Sequence, residues 1–246
     1  MPAGPRDRPQ QRQGPGVPFV AEGADVLVTA YHNAGEAQRL GRWAAAHGRR
    51  VEWIRLACED ATAVDELFGA VEQRLGYADI LVNNAGTVAC STFLNHSDAD
   101  FDRTFQVNIR FPFFATQRFA TAAIARAAAG CVVNIASVSA YKAISRLSAY
   151  QCSKAALLML SKGAAVELAP HGIRVNTLSP GLTATNGNAN QWREDPELWA
   201  ERGKELPLGR VGVPGDMAGA AVFLASEESS WMTGGHIVVD GGDSAI

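Results

Sequence analysis

Short apolar runs alternate with longer amphipathic segments along this chain of 246 residues, and this alternation limits the possible folds more than any other feature. The runs lack the polar alternation of half-exposed strands, which is typical of strands buried on both faces of a sheet. They predict strands over residues 24–29, 51–56, 79–82, 131–135, 174–178 and 237–239. The segments between them predict helices over residues 35–47, 62–75, 98–128, 149–169 and 216–225.

Strands that alternate with helices predict a parallel sheet, because parallel neighbours need a crossover connection. We therefore predict an α/β fold with a single doubly wound, Rossmann-like parallel sheet and helices on both faces, in one domain over residues 21–246. The 47% of hydrophobic residues can supply the core of such a domain. Ligands of these sheets bind at the carboxyl ends of the strands.

The charge and cysteine patterns argue against several classes of protein. Lys and Arg number 22 and Asp and Glu 25, a net charge of −3 without clustered cations, so we expect no nucleic-acid partner. The four cysteines and five histidines lack the spacing of metal ligands, so we expect no metal. No apolar stretch could span a membrane, and residues 1–16 lack the apolar core of a secretory signal. These features predict a cytoplasmic protein without a membrane partner.

Small and hydrogen-bonding residues follow three of the predicted strands. They are N-N-A-G at 83–86, A-S at 136–137 and S-P-G at 179–181. Gly, Asn and Pro end strands in many proteins, so each group taken singly is equally well explained as a strand ending.

Tyr150 and Lys154 are four residues apart at the start of a predicted helix, a spacing that places both side chains on one face. A phenol with a pKa near 10 is a poor base at neutral pH, and a nearby ammonium favours the phenolate. We therefore expect Lys154 to lower the pKa of Tyr150. Tyr150 would then donate and accept protons for an alcohol and carbonyl pair.

The chain resembles the short-chain dehydrogenase/reductase family in a series of ordered motifs. These are N-N-A-G at 83–86, Asn108, Ser137, Tyr150-x-x-x-Lys154, Pro180-Gly181 followed by Thr183 and Thr185, and V-D-G-G at 239–242. The resemblance runs from about residue 21 to residue 246. It implies hydride transfer between NAD or NADP and a small-molecule alcohol or carbonyl, in a homo-oligomer that is a tetramer or a dimer.

The resemblance also implies roles for individual residues. Tyr150 would be the general acid and base, and Ser137 would orient the substrate oxygen. Lys154 would lower the pKa of Tyr150 and hold the nicotinamide ribose, and Asn108 would anchor a water that relays protons to Lys154. Besides Tyr150 and Lys154, the implied cofactor-binding residues are Asn84, Ala85 and Gly86 on the adenosine side, and Pro180, Gly181, Thr183 and Thr185 at the nicotinamide and pyrophosphate end.

The beginning of the chain departs from the family pattern. The family opens with a strand and a T-G-x-x-x-G-x-G turn, which should lie near residues 5–12, where this chain reads P-R-D-R-P-Q-Q-R. Proline removes a ladder donor and breaks helices, so we expect an irregular segment over residues 1–20 without the first strand of the sheet. That strand would be an interior one. A shift of reading frame and a lineage that lost its pyrophosphate cradle are alternative explanations.

The residues that distinguish NAD from NADP are also atypical. Ala30, followed by Tyr31 and His32, ends the second strand of the family pattern, where a carboxylate would bond the 2′-hydroxyl of NAD. The missing carboxylate removes repulsion of a 2′-phosphate, and no Arg stands beside it in sequence to attract one. NADP is therefore slightly favoured. Glu59 or Asp60 could replace the acidic residue that usually contacts adenine.

The segment over residues 182–207, the usual site of substrate specificity in the family, is rich in amides and tryptophan. These residues are Asn186, Asn188, Asn190, Gln191, Trp192 and Trp199. They favour a sugar or polyol substrate, with a 3-oxoacyl thioester as the alternative, and a polar surface loop without a substrate role explains the same composition. A second function remains open, namely a cofactor-poor relative that acts by binding or assembly.

Overall fold

The parallel strands of the computed structural model, which describes residues 17–31 and 34–246, form two groups. The first pairs β1 (Val26–Ala30) with β2 (Val51–Arg55). The second has the order β3-β4-β5-β6. Its members are β3 (Ile80–Asn83), β4 (Gly130–Ile135), β5 (Ile173–Pro180) and β6 (His236–Val239).

The helices occupy the connections between these strands. They are α1 (Val17–Ala21), α2 (Ala34–Ala46), α3 (Ala63–Arg74), α4 (Asp98–Phe105), α5 (Phe111–Ala125), α6 (Ser148–Leu168), α7 (Ala189–Glu194), α8 (Pro196–Glu205) and α9 (Pro214–Ala225). Thus each predicted strand and helix overlaps an observed one.

Helices cover both faces of the larger sheet, and β4 shows this in consecutive residues. The Val132 side chain packs into the core formed with α3, α5 and α6. Its neighbours Cys131 and Val133 point the opposite way, into the core formed with α9. Because successive side chains of a strand alternate between faces, an apolar run without alternation must be covered twice. The predicted doubly wound α/β fold is therefore confirmed.

The hydrogen-bonded strands form two separate groups, and the break between β1 and β3 lies where the family pattern places its first, interior strand. Among the described residues, β1 pairs with β2 and β3 pairs with β4, but β1 and β3 do not pair with each other. Side chains still connect the two groups, since Leu27 and Ile54 pack against the core of α3 and α5. The predicted absence of the glycine-rich turn and first strand falls on residues 1–16, which lie outside the described residues.

Three segments differ from the sequence-based expectations. Residues 17–20 were predicted to be irregular but belong to α1, whose Pro18 sits in the first turn, where a missing N–H costs no hydrogen bond. The predicted helix 98–128 is interrupted by a π-helical stretch, Gln106–Arg110. The segment 182–207 contains α7 and α8, and the Asp195 side chain caps α8 by accepting from the Leu198 N–H.

Within the same described ranges, no helix is long and apolar enough to cross a bilayer. Nor do three or more His, Cys, Asp or Glu residues come together there as a metal-ion site.

Candidate active site

Ser137 and Tyr150 meet at the carboxyl end of β4. Ser137 lies just beyond this strand, and its Oγ accepts a hydrogen bond from the Ser139 N–H at 3.1 Å. Tyr150 is in the first turn of α6 and is half-buried. The Ser137 side chain is close enough to the Tyr150 phenol to lower its pKa. A substrate oxygen could therefore bind to both hydroxyls.

Burial raises the pKa of Tyr150 above the ordinary value of a tyrosine, and the neighbouring Ser137 side chain offsets this only in part. The lowering that we predicted from Lys154 is therefore wrong for the chain by itself. The Lys154 Nζ lies 5.8 Å from the centroid of the Tyr150 ring. In the chain by itself, the pKa of Tyr150 is set by burial and Ser137, and the Lys154 charge does not offset the loss of water around the phenolate.

Lys154 is a buried cation, with 4% of its surface exposed. Its Nζ donates to the carbonyl oxygen of Ile135, the last residue of β4, at 2.7 Å. Burial lowers the pKa of Lys154 to about 8. The side chain thus holds a proton near neutral pH that it can release in a mildly basic range.

Asn108 is in the π-helical stretch, and its amide connects the loop after β3 to α6. Its Oδ1 accepts from the Thr87 N–H at 2.9 Å, and its Nδ2 donates to the Thr87 carbonyl oxygen at 2.9 Å. The same Nδ2 donates to Ser153 Oγ at 3.0 Å, and the Ser153 hydroxyl donates to the Tyr150 carbonyl oxygen at 2.7 Å. Asn108 thereby positions the turn of α6 that carries Tyr150 and Lys154. A water relay at this residue stays a prediction.

The sequence analysis missed Thr87 and Ser153. Thr87 contributes only its main chain, which no side-chain motif could indicate. Ser153 had one available signal, namely a small polar residue three positions after Tyr150 in an otherwise apolar helix.

Gly86 lies beside both Asn108 and Lys154. A Cβ at Gly86 would be 3.4 Å from Asn108 Oδ1 and 3.6 Å from Lys154 Nζ, so any larger side chain would cover the ammonium. Of its two predicted partners, Asn84 is exposed and Ala85 is half-buried. Gly86 thus lies beside Lys154, the residue that the resemblance assigns to the nicotinamide ribose, although the resemblance assigned Gly86 itself to the adenosine side. The nicotinamide and ribose end of a dinucleotide would fit here, because the absence of a side chain at Gly86 leaves room beside the buried cation.

The segment after β5 uses its own polar groups internally. A Cβ at Gly181, which follows Pro180, would come within 2.6 Å of the Asp240 Cα, so glycine is needed there for packing against the end of β6. The Thr183 hydroxyl donates to the Gly181 carbonyl oxygen at 2.9 Å, and the Thr185 hydroxyl donates to Asn188 Oδ1 at 3.0 Å. Cofactor contacts by Pro180, Gly181 and these threonines stay predictions.

Several side chains that we expected to face a substrate also have partners inside the chain. Asn186 donates to Glu36, Asn188 donates to the Thr183 carbonyl oxygen and Trp192 donates to the Thr185 carbonyl oxygen. Trp199 is only 6% exposed and belongs to the core of its own segment. The amide and tryptophan content of this segment thus supports its local structure, and it is weaker evidence for a sugar site than the sequence indicated.

A second set of contacts that the sequence did not reveal connects the end of the chain to the loop between Ser137 and Tyr150. Lys142 Nζ donates to the Asp243 carboxylate at 2.8 Å and to the Asp243 carbonyl oxygen at 2.7 Å. Because Lys142 and Asp243 are 101 residues apart in sequence, no local pattern could indicate the pairing.

The comparisons with known proteins agree with this arrangement. A family model described as enoyl-(acyl carrier protein) reductase matches residues 17–244. The galactitol 2-dehydrogenase of Agrobacterium fabrum is 32% identical, over 92% of this chain and 90% of its own length. The 2-dehydro-3-deoxy-D-gluconate 5-dehydrogenase of Escherichia coli is 34% identical, with 94% and 89% covered.

Solved structures give the same result. The crystal structure of a 3-oxoacyl (acyl-carrier-protein) reductase from Agrobacterium tumefaciens C58 with NADP bound has a TM-score of 0.86 and 31% identity. The alignment covers 92% of this chain and 87% of that one. A short-chain type dehydrogenase/reductase from Mycobacterium marinum also gives a TM-score of 0.86, at 33% identity with 94% and 90% covered.

Proposed function

Because the chain belongs to the short-chain dehydrogenase/reductase family of NAD(P)-dependent oxidoreductases, we propose that Tyr150 exchanges a proton with the oxygen of an alcohol or carbonyl substrate. The observation that carries this proposal is the position of the Tyr150 phenol beside the Ser137 side chain at the end of β4, where Ser137 lowers the pKa of Tyr150. Two neighbouring hydroxyls can both bind one substrate oxygen, and the phenol can exchange a proton with it.

Each side chain of the site has a separate task in this proposal. When NAD(P) is bound, its nicotinamide supplies or accepts the hydride. Ser137 donates a hydrogen bond to the substrate oxygen and stabilises the charge that develops on it. Tyr150 gives its proton to that oxygen in reduction and takes it back in oxidation. The Lys154 ammonium stabilises the resulting phenolate and binds the nicotinamide ribose, and Gly86 leaves space for that ribose.

The proposed substrate is a sugar or polyol, and a 3-oxoacyl thioester is the second candidate. The relatives named galactitol 2-dehydrogenase and 2-dehydro-3-deoxy-D-gluconate 5-dehydrogenase support the first candidate. The structural neighbour named 3-oxoacyl (acyl-carrier-protein) reductase supports the second. A panel of polyols, sugar acids and 3-oxoacyl thioesters, run with both nicotinamide cofactors, will decide between them by kcat/KM.

The Tyr150→Phe variant tests the role of the phenol, because it keeps the ring and removes the proton. We expect kcat to fall about 10²-fold to 10⁴-fold, since this is the usual contribution of a general acid and base. Binding of NADPH, followed by its fluorescence, should persist. Turnover at the wild-type rate would contradict the proposal.

The alternative, a cofactor-poor relative that acts by binding or assembly, is not supported by the comparisons, in which the named relatives are dehydrogenases and reductases. It predicts that neither NADPH nor NADH binds at millimolar concentration. Saturable binding of either cofactor excludes it.

We further propose that the protein is a cytoplasmic homo-oligomer, a dimer or a tetramer. Large apolar side chains are exposed on two long helices that pack on the same core, and exposed apolar surface can mark an interaction site. They are Phe113, Phe114 and Ile124 on α5, and Met159 and Val166 on α6. The four cysteines are free thiols, as in a reducing compartment. Light scattering after size-exclusion chromatography measures the oligomeric state, and a monomer at micromolar concentration would contradict this proposal.

A further inference from the structure

Arg55 is placed by strand pairing at the carboxyl edge of the smaller sheet. It is the last residue of β2, and its partner in the parallel register is Ala30, the last residue of β1. The Arg55 Cζ lies 5.6 Å from the centroid of the Tyr31 ring, and the side chain is exposed. The structure thus brings an arginine to the end of β1, where the local sequence shows none.

This guanidinium is available for a ligand. Among residues 17–31 and 34–246, Arg55 takes part in no ion pair. Neighbouring arginines are different, because their charges are already matched by carboxylates. The pairs are Arg50 with Asp25 at 3.1 Å, Arg74 with Glu52 at 3.4 Å and Arg103 with Glu59 at 3.3 Å.

A polar cavity of about 360 Å³ opens beside Arg55. Its lining residues are Tyr31, Arg55, Ala57, Glu59, Asp60 and Glu66. Two of its three carboxylates already have donors, because Arg103 pairs with Glu59 and the Thr62 hydroxyl donates to Glu66 at 2.6 Å. The cavity therefore combines a cation at the strand end with carboxylates on the segment that follows β2. Such a cavity suits a ligand with an anionic group and amine donors.

An adenosine 2′-phosphate has this chemistry. The phosphate is the anion and the exocyclic amine of adenine is the donor. In doubly wound sheets the adenosine ribose lies at the end of the strand equivalent to β1, where a carboxylate selects the 2′-hydroxyl and an arginine accommodates a 2′-phosphate. The last residue of β1 and the one after it, Ala30 and Tyr31, carry no carboxylate. A planar guanidinium can bind phosphate with two parallel hydrogen bonds.

We propose that Arg55 binds the 2′-phosphate of NADP and gives this chain a preference for NADP over NAD. The proposal rests on the dinucleotide-dependent function proposed above. The selecting arginine comes from the adjacent strand of the sheet rather than from the residues that follow β1 in sequence. Arg55 would therefore change the affinity for the adenosine end of the cofactor and would not take part in the proton transfer by Tyr150.

The test measures dissociation constants rather than turnover. NADPH and NADH are titrated by fluorescence, and 2′,5′-ADP, 5′-AMP and inorganic phosphate by calorimetry. In Arg55→Gln we expect NADPH and 2′,5′-ADP to bind about tenfold to a hundredfold more weakly, as for the loss of hydrogen bonds to a charged group. NADH and 5′-AMP should change less than about twofold, because they lack the phosphate that Arg55 contacts.

Two further variants sharpen the result. Arg55→Lys should lie between wild type and Arg55→Gln, because lysine keeps the charge but loses the planar fork. Arg42→Gln removes another exposed arginine, on α2, and should leave the ratio of the NADPH and NADH constants unchanged.

The proposal is overturned if wild type binds NADPH no more tightly than NADH, or if Arg55→Gln leaves their ratio unchanged. It is also overturned if inorganic phosphate binds as tightly as 2′,5′-ADP, which would identify a general anion site. If wild type binds neither dinucleotide, the proposed function fails separately. The adenosine probes then decide this inference, because tight binding of 2′,5′-ADP that depends on Arg55 supports it and the lack of such binding contradicts it.

Discussion

The carboxyl ends of β3, β4 and β5 differ from those of β1 and β2 in how their polar side chains are held. Around Tyr150, the buried groups Asn108, Ser153 and Lys154 each have partners within the chain. At the end of β2, Arg55 is exposed and contacts only the face of a ring among the contacts described. The proposed site of chemistry is thus held by internal hydrogen bonds before a ligand binds, whereas the proposed adenosine side has an exposed cation that a ligand can reach.

The two regions also differ in strand pairing. β4 has hydrogen-bonded neighbours on both sides, whereas β1, among the described residues, pairs with β2 alone. In the proposed function, the sheet that is paired on both sides of β4 carries the proton chemistry, which needs accurate geometry. In the proposed role of Arg55, the pair of β1 and β2 carries cofactor discrimination.

Among the variants that compare the two regions, Lys154→Met has the largest expected effect on kcat. It tests whether the proposed active site tolerates the loss of its buried cation. We expect kcat to fall at least about a hundredfold, because the phenolate of Tyr150 loses its stabilising charge. Because burial lowers the pKa of Lys154 to about 8, its charge destabilises the folded state by roughly 3 kcal/mol below that pH. The variant should therefore be more stable than wild type at pH 7, even though it is less active.

The pH dependence follows from the same pKa. Above about pH 8 the folded protein loses the Lys154 proton, while the unfolded chain keeps it up to the ordinary lysine pKa of 10.5. The unfolded state then binds more protons, so the stability of wild type rises relative to Lys154→Met across this window. Urea denaturation of both proteins from pH 7 to pH 10 measures the difference. A constant difference would show that the pKa of Lys154 is not lowered.

Local patterns were sufficient to predict the strands and the common helix of Tyr150 and Lys154, because both depend on residues close in sequence, whereas the catalytic roles of Ser137, Tyr150 and Lys154 stay predictions. An apolar run reports burial on two faces, and a spacing of four reports one helical face. Arg55 could not be predicted, since its position at the end of β1 depends on the register between two strands. The loop partners of the Thr183 and Thr185 hydroxyls could not be predicted either, because they depend on backbone geometry that the sequence does not reveal.

Amide hydrogen exchange tests the contrast in strand pairing. We expect amides of β1 and β2 to exchange at least about tenfold faster than those of β4 and β5, since a two-stranded unit opens locally at lower free energy. Exchange followed by mass spectrometry of peptides that cover each strand provides the measurement. Saturating NADPH should slow exchange in β1 and β2 more than in β4 and β5, because the ligand contacts the ends of the less stable pair. If the amides of β1, β2, β4 and β5 exchange equally slowly in the free protein, the two groups of strands do not differ in local stability.

The smallest expected effects come from two buried serines on α6, Ser153 and Ser161. Substituting each of them distinguishes a loss of active-site positioning, which lowers kcat, from a loss of stability alone. Ser153 is fully buried and bonds Asn108 and the Tyr150 carbonyl, whereas Ser161 is 1% exposed and accepts from Asn134 Nδ2 at 2.8 Å, away from the active site. Each Ser→Ala variant should lose about 1 to 2 kcal/mol of unfolding free energy, because a buried donor loses its partner.

Only Ser153→Ala should also change catalysis, through a severalfold lower kcat with little change in KM, since Asn108 no longer anchors the turn that carries Tyr150. Substituting Thr at position 153 should restore part of kcat, because its hydroxyl can still accept from Asn108. Urea denaturation and steady-state kinetics on the three variants measure both quantities. If Ser161→Ala lowers kcat as much as Ser153→Ala does, the hydrogen bond to Asn108 has no special role in positioning, and the effect is a general consequence of a loosened α6.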